Sequence, residues 1–314
     1  MSSISGEKKL FRYYKIYEQI YENPFISASE IAQKTKIARS TVSKDLTEMY
    51  NNFMVGPAIC LKPAQNYHLY TALLKVKNPL LAYWCFRRFP KVVYRSLASG
   101  SWNLLLISEK CIDFSFLKGF KEYIYYGVKG VTFLSKVETV DWNKSLERMY
   151  DMLDTPAKKS FLYKEVPLLP WGKEEWRLYH TFRHNVRVQV TPLLKVLGIR
   201  YEQYRKWLSS LSGVAEIQVS FYPHGVNNYF AFDFLFKSTS HKQLVDILGQ
   251  LPSTCFFSSV GEYLLARLSV MNRKEKDDLL TFIFELGKKG FFTDFCHALL
   301  VSPSRNNFTQ RGTE

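Results

Sequence analysis

The sequence has few cysteines, and none of them lie in a pattern that would use them together. The five are far apart and form no C-x-x-C pair: Cys60, Cys85, Cys111, Cys255 and Cys296. An odd, scattered set is typical of reduced core residues in a cytoplasmic protein. It therefore argues against a disulfide framework and against a zinc site.

Long apolar runs are absent as well. No stretch reaches the ~18 uninterrupted apolar residues that a membrane span needs. The N-terminus is polar and basic and no apolar run follows it, so no signal peptide is predicted. We expect a cytoplasmic protein without membrane contact.

The groupings that carry catalysis are also missing. No Ser-His-Asp or Cys-His arrangement and no glycine-rich phosphate loop can be recognised. His180 and His184 have the i, i+4 spacing of a helical metal site, but no third ligand is recognisably placed. The sequence predicts no catalytic residue, no metal and no cofactor, and hence a protein that is not an enzyme.

Basic charge is what the sequence has in excess. The net charge is +15, and 46% of the 314 residues are hydrophobic, enough for two to four packed modules. Residues 1–78 carry 11 Lys/Arg against 6 Asp/Glu, and residues 171–215 carry 8 against 3, so each segment has a net charge of +5. Two concentrated basic segments favour two surfaces that face phosphates.

Residues 27–50 predict a helix-turn-helix. Ser27 and Glu30 have the spacing of a capping box at the start of a first helix. In the second helix, Val42, Leu46 and Met49 follow at i, i+4, i+7 and must face a core.

This phase turns a set of basic and hydroxyl residues outward, where they suit a DNA major groove: Arg39, Ser40, Thr41, Ser43, Lys44 and Thr47. An ordinary solvated helix pair is the alternative.

The chain reads as an α+β protein in which two winged helix-turn-helix domains alternate with two ferredoxin-like β-α-β-β-α-β domains. The first wing is predicted from residues 53–63, as two short strands joined by a turn, and the second from residues 215–222. In the first ferredoxin-like domain, a helix is predicted over residues 113–126 and a last strand over 130–141. The predicted boundaries are 1–65 and 171–224 for the winged domains, 66–142 and 225–303 for the ferredoxin-like domains, 143–170 for a linker and 304–314 for a disordered tail.

A near-constant offset relates the two halves of the chain. Ile37 and Leu46 are matched by Ile199 and Leu208, both 162 residues later. Such an offset indicates a tandem duplication. It predicts a second outward DNA-binding face formed by Arg200, Tyr201, Gln203 and Lys206. A degenerate copy kept for packing is the alternative, since Tyr204 and Trp207 enlarge its apolar stripe.

Four segments carry a resemblance to the Lrp/AsnC (feast/famine) regulators: IARSTVSKDLTEMY, LGIRYEQYRKWLSSL, RSLASGSWNLLLIS and FFSSVGEYLLARLSV. The resemblance implies a sequence-specific regulator of transcription that binds double-stranded DNA. It also implies α+β modules paired through their sheets. A duplicated chain would then form a pseudo-dimer within itself, and a further homodimer stays open.

The same resemblance implies an amino-acid effector at two turns, formed by Gly100, Ser101, Trp102, Asn103, Gly261, Glu262 and Tyr263. The family's acidic residue after the aromatic one is replaced here by Asn103 and Leu264. The sequence leaves open whether an effector binds.

Two other functions remain as alternatives. Siroheme decarboxylases look similar and use Arg and His residues near the wing and first strand. Here the corresponding stretches supply only Lys62, His68 and His224. An interaction module that has lost DNA binding is the second alternative.

Overall fold

The chain begins with three helices that share one core. The computed structural model describes residues 3–163 and 165–305, with side chains for 6–163 and 165–301. The helices are α1 (Ser3–Glu22), α2 (Ala28–Thr35) and α3 (Arg39–Asn51). The predicted capping box is confirmed: Ser27 Oγ accepts from Glu30 N at 3.2 Å, and Ser27 N donates to Glu30 Oε2 at 2.8 Å.

The first wing, predicted as two short strands joined by a turn, is wrong. Each half supplies a single strand, β1 (Val55–Leu61) or β6 (Ala215–Phe221), and the two strands pair with each other in antiparallel register. A lone seven-residue strand would leave its backbone groups unpaired, and the strand of the other half satisfies them. This two-stranded sheet joins the first group of helices to the second, which consists of α6 (Lys173–Phe182), α7 (Val190–Leu197) and α8 (Tyr201–Val214).

Eight further strands close into a barrel, in the order β10-β3-β4-β2-β5-β8-β9-β7. The first half contributes β2 (Leu69–Val76), β3 (Val92–Gly100), β4 (Leu104–Ser108) and β5 (Phe120–Leu134). The second half contributes β7 (Phe230–Lys237), β8 (Phe256–Val260), β9 (Tyr263–Val270) and β10 (Asp294–Arg305). The halves therefore meet at two seams, β3–β10 and β5–β8.

The helix predicted over residues 113–126 is absent. Residues 120–134 instead form β5, the longest strand of the barrel, and the strand predicted over 130–141 stops at Leu134. Tyr, Phe, Ile and Val dominate this segment, and such residues fit a pleated strand better than a helix. On its sheet the first half carries α4 (Pro79–Cys85), whereas the second carries α9 (His241–Leu248) and α10 (Arg273–Lys288). The broader prediction of an α+β fold is confirmed.

The predicted linker contains α5 (Trp142–Asp151), which packs on the second half. Met149 is fully buried there, and Trp142 Nε1 donates to Asp278 on α10 at 3.1 Å. The tail predicted as disordered begins inside β10, and residues 306–314 lie outside the described part of the chain. The domain boundaries remain predictions.

Candidate nucleic-acid interface

The candidate recognition face lies on α3. Val42 and Met49 are fully buried beneath it, and Leu46 is nearly so. The six predicted contact residues lie on the opposite side, all of them exposed except Thr41, which is half-buried. Thr47 Oγ1 donates to the Ser43 carbonyl at 3.0 Å, so Thr47 offers mainly its methyl group outward. The sequence pattern placed this surface correctly, while its contact with DNA remains a prediction.

Two ion pairs with α1 hold both acidic residues of α3 away from the recognition face. Asp45 is 2% exposed and accepts from Arg12 Nη2 at 3.0 Å, with a second bond from Arg12 Nε. This bond to Asp45 raises the pKa of Arg12. Nearer the end of α3, Lys9 Nζ lies 2.6 Å from Glu48 Oε1 and lowers the pKa of Glu48. Because α1 neutralises these carboxylates, the charges left on the outer face of α3 are Arg39 and Lys44.

The second candidate face, on α8, is used differently. Arg200, Tyr201, Gln203 and Lys206 are all exposed. Gln203 is bound within the protein, because its Oε1 accepts from Arg200 N and its Nε2 donates to Glu174 Oε2, both at 3.0 Å. A glutamine held in this way is not free to read a base edge in the described arrangement.

The first predicted effector turn is built into the barrel. Trp102 is fully buried in the barrel interior, and Ser101 N donates to the His297 carbonyl at 2.9 Å. Asn103 accepts from Val76 N at 3.0 Å and donates to Val76 O at 2.8 Å. Gly100 has φ +148°, and a Cβ there would come within 2.5 Å of the His297 carbonyl. These residues therefore join β3, β2 and β10.

The second predicted effector turn is more open. Gly261 adopts φ +60° between β8 and β9. Glu262 lies 3.5 Å from the Lys237 ammonium at the surface, and the Tyr263 ring packs edge-on against Tyr125 of β5. The two turns thus lie at opposite seams of the barrel.

A polar contact that the sequence did not reveal crosses the barrel interior. Arg267 on β9 binds the buried Asp233 of β7 through two hydrogen bonds of 2.7 and 2.9 Å. Its third donor reaches the hydroxyl of Tyr94, on β3 of the other half, at 3.0 Å. The only sign of this contact in the sequence was a charged residue, Arg267, at a strand position whose side chain points into the barrel.

His180 and His184 do not share a helix, contrary to the i, i+4 prediction. Helix α6 ends at Phe182, so His184 lies beyond it, where Arg183 Nε donates to His184 Nε2 at 3.0 Å. Among the described residues, no three His, Cys, Asp or Glu side chains are grouped to hold a metal ion. None of the described helices is long and apolar enough to cross a membrane.

Comparisons with known proteins identify the first helical unit. A family profile described as winged helix-turn-helix DNA-binding matches residues 14–49, from the middle of α1 to near the end of α3. The chain therefore contains a winged helix-turn-helix DNA-binding domain. That profile is general and does not single out Lrp/AsnC regulators. No curated protein matches the chain.

Two solved structures match nearly the whole chain, both of the siroheme decarboxylase NirDL, one in complex with an iron-uroporphyrin III analogue. Each has a TM-score of 0.49 and covers 93% of this chain. The identities are 16% and 15%, over 91% and 92% of the matched chains. Because both structures are of an enzyme, our prediction that the chain is not an enzyme is contradicted and is withdrawn. The likeness assigns no activity to this chain.

Proposed function

We propose that this protein is a transcription regulator of the Lrp/AsnC type that binds double-stranded DNA in a sequence-specific manner. The observation that carries the proposal is the outer face of α3, where Arg39 and Lys44 stand among small hydroxyl residues. The helix belongs to the matched DNA-binding domain, and α1 has removed the acidic side chains from this face. Phosphates would meet the two cations, and base edges would meet the hydroxyls.

In this proposal the two faces have unequal roles. Helix α3 reads bases, whereas α8 contributes phosphate contacts through Arg200 and Lys206, since Gln203 is occupied by Glu174. The chain acts as a pseudo-dimer, which is supported by the β1–β6 pairing and by the barrel shared between its halves. Its site would be an imperfect palindrome with half-sites about 34 Å apart.

Selection of bound fragments from random duplex DNA tests the proposal directly. We expect enrichment of one sequence with a strong and a weak half-site. Retention of all sequences alike would contradict specific recognition.

The roles of the faces are tested by the double variant Arg39→Ala/Lys44→Ala, with Arg200→Ala/Lys206→Ala as the matched comparison. The first variant should lose base preference and flatten the salt dependence by up to ~2 units of slope, since each phosphate contact contributes ~0.9. The second should weaken all sequences equally and leave the preference intact. If the folded first variant keeps wild-type affinity and slope, α3 is not the recognition helix.

An amino-acid effector is a separate matter. A bound effector would raise the melting temperature by mass action. Because Asn103 is held by Val76 and Trp102 is buried, we expect no shift with any of the twenty amino acids at millimolar concentration. A shift with one of them would restore the effector site.

A further inference from the structure

A crevice opens where the first helical unit meets the second half of the chain. Its volume is about 700 Å³, within the range of binding pockets. It lies between α1, the end of α3 and the loop of residues 223–228. Its walls combine apolar groups with side-chain amides and carboxylates, including Leu10, Tyr13, Glu48, Met54 and Asn227.

The second half has a counterpart to this crevice, between α6, the end of α8 and the segment that follows β1. There connector residues 166–171 lie against the segment after β1, and Trp171 packs on Trp176 of α6 and Trp207 of α8. Asn66 binds the backbone of Leu169 at both groups, accepting from its N at 2.9 Å and donating to its O at 3.0 Å. The Leu169 side chain is 4% exposed in the core of the second helical unit.

A neighbouring residue extends the same contact. Gln65 N donates to the Pro167 carbonyl at 3.1 Å, and Gln65 Nε2 donates to the Val166 carbonyl at 3.2 Å. Gln65 and Asn66, two consecutive residues after β1, thus hydrogen-bond to the backbone of the connector, and the Leu169 side chain anchors it in the core.

The crevice and its counterpart are joined in the same way to the β1–β6 sheet. On one side Tyr222 N donates to Met54 O at 2.7 Å, and on the other Lys62 N donates to Val214 O at 3.0 Å. Asn66 precedes β2 by three residues, and Asn227 precedes β7 by three residues. Counted back from the barrel strand that follows, Asn227 corresponds to Asn66, and it lines the open crevice with an exposed side chain.

The crevices differ because the helices in front of them differ in length. Helix α6 has 10 residues and begins at Lys173, so residues 166–171 precede it as non-helical chain that packs beside Gln65 and Asn66. Helix α1 has 20 residues, and its first turns form a wall of the crevice instead of filling it.

We propose that the crevice between α1, the end of α3 and residues 223–228 binds an extended peptide segment of a partner protein, anchored by a leucine. Asn227 binds the backbone of the peptide as Asn66 binds Leu169. The leucine packs against Leu10 and Met54, and the Asn51 and Asn52 amides offer further backbone contacts. Extended peptides are commonly recognised in this way, by backbone hydrogen bonds and a side-chain pocket.

The test uses the full-length protein and a fluorescein-labelled peptide with the sequence of residues 165–171, EVPLLPW. We expect saturable binding by fluorescence anisotropy. Replacing the second leucine of the peptide by alanine should abolish binding. Asn227→Ala should weaken it about tenfold, since two backbone contacts are lost. The exposed Asn143→Ala on α5 is the matched control and should bind as the wild type does.

A photo-crosslinking version of the peptide locates its site. Crosslinks to α1, the end of α3 or residues 223–228 support the proposal. Crosslinks to α8 or residues 62–66 would mean that the peptide displaces the connector, and they would overturn it. So would an absence of saturable binding up to 1 mM peptide, or equal binding by Asn227→Ala. If Asn227→Ala does not fold, Leu10→Ala takes its place and should also weaken binding.

Discussion

The two three-helix units, α1–α3 and α6–α8, differ in how the contacts of their first helix affect the outer face of their last helix. In the first unit, α1 brings Arg12 and Lys9 to the acids of α3, which leaves a basic outer face. In the second unit, α6 brings an acid, Glu174, to Gln203 on the outer face of α8. One or two side chains of a neighbouring helix therefore decide whether the outer face of the last helix carries free basic groups or is bound within the protein.

The largest loss of stability is expected when the Arg12–Asp45 pair is removed. Asp45→Ala should lower the free energy of unfolding by about 3 kcal/mol, the low end for a buried pair because Arg12 is partly exposed. Glu48→Ala, which removes the exposed pair with Lys9, should cost about 1 kcal/mol or less. Urea unfolding of both variants measures the difference, and equal losses would show that the Asp45 contact is not special.

A second contrast concerns the two turns of the barrel. Asn103→Ala should cost about 2 kcal/mol, because it removes both partners of the Val76 backbone. Glu262→Ala removes only an exposed ion pair and should cost about 0.5 kcal/mol or less. Thermal unfolding checks the ranking, and the reverse order would mean that the open turn, not the buried one, secures its seam.

The smallest effect is expected at the start of α8. Gln203→Ala should cost about 1 kcal/mol, the typical value of a lost helix cap, and should leave DNA affinity unchanged. By comparison, Ser40→Ala on the outer face of α3 should leave stability unchanged and weaken specific DNA binding. If Gln203→Ala weakens specific binding while the protein stays folded, α8 reads bases after all.

Local features were predictable from the sequence. The capping box and the Val42–Leu46–Met49 stripe depend on residues a few positions apart, so their spacing carried the information. The outward face of α3 followed from that stripe. The β5 segment was misread because a short aromatic run can be drawn with either period, and only the neighbouring strands decide it.

Partners distant in the sequence could not be predicted. Arg12 reaches Asp45 over 33 residues, Gln203 reaches Glu174 over 29, and Asn103 reaches Val76 over 27. Each contact depends on how whole elements dock, which no local pattern encodes. The pairing of β1 with β6 was missed for the same reason, since residues 53–63 alone can also be drawn as two short strands joined by a turn.

The closed barrel has a consequence for how the chain is made. Strand β3 pairs with β4 at once but finds its second neighbour only when β10 exists, and the paired residues Gly100 and Ala298 lie 198 positions apart. At a synthesis rate of ~5–20 residues per second, β3 waits roughly 10–40 s for that partner. During this interval the nascent first half carries two unpaired sheet edges, β3 and β5, which another nascent chain could pair with. Crowding on polysomes should therefore raise the fraction of swapped, intertwined chains above that formed when nascent chains are far apart.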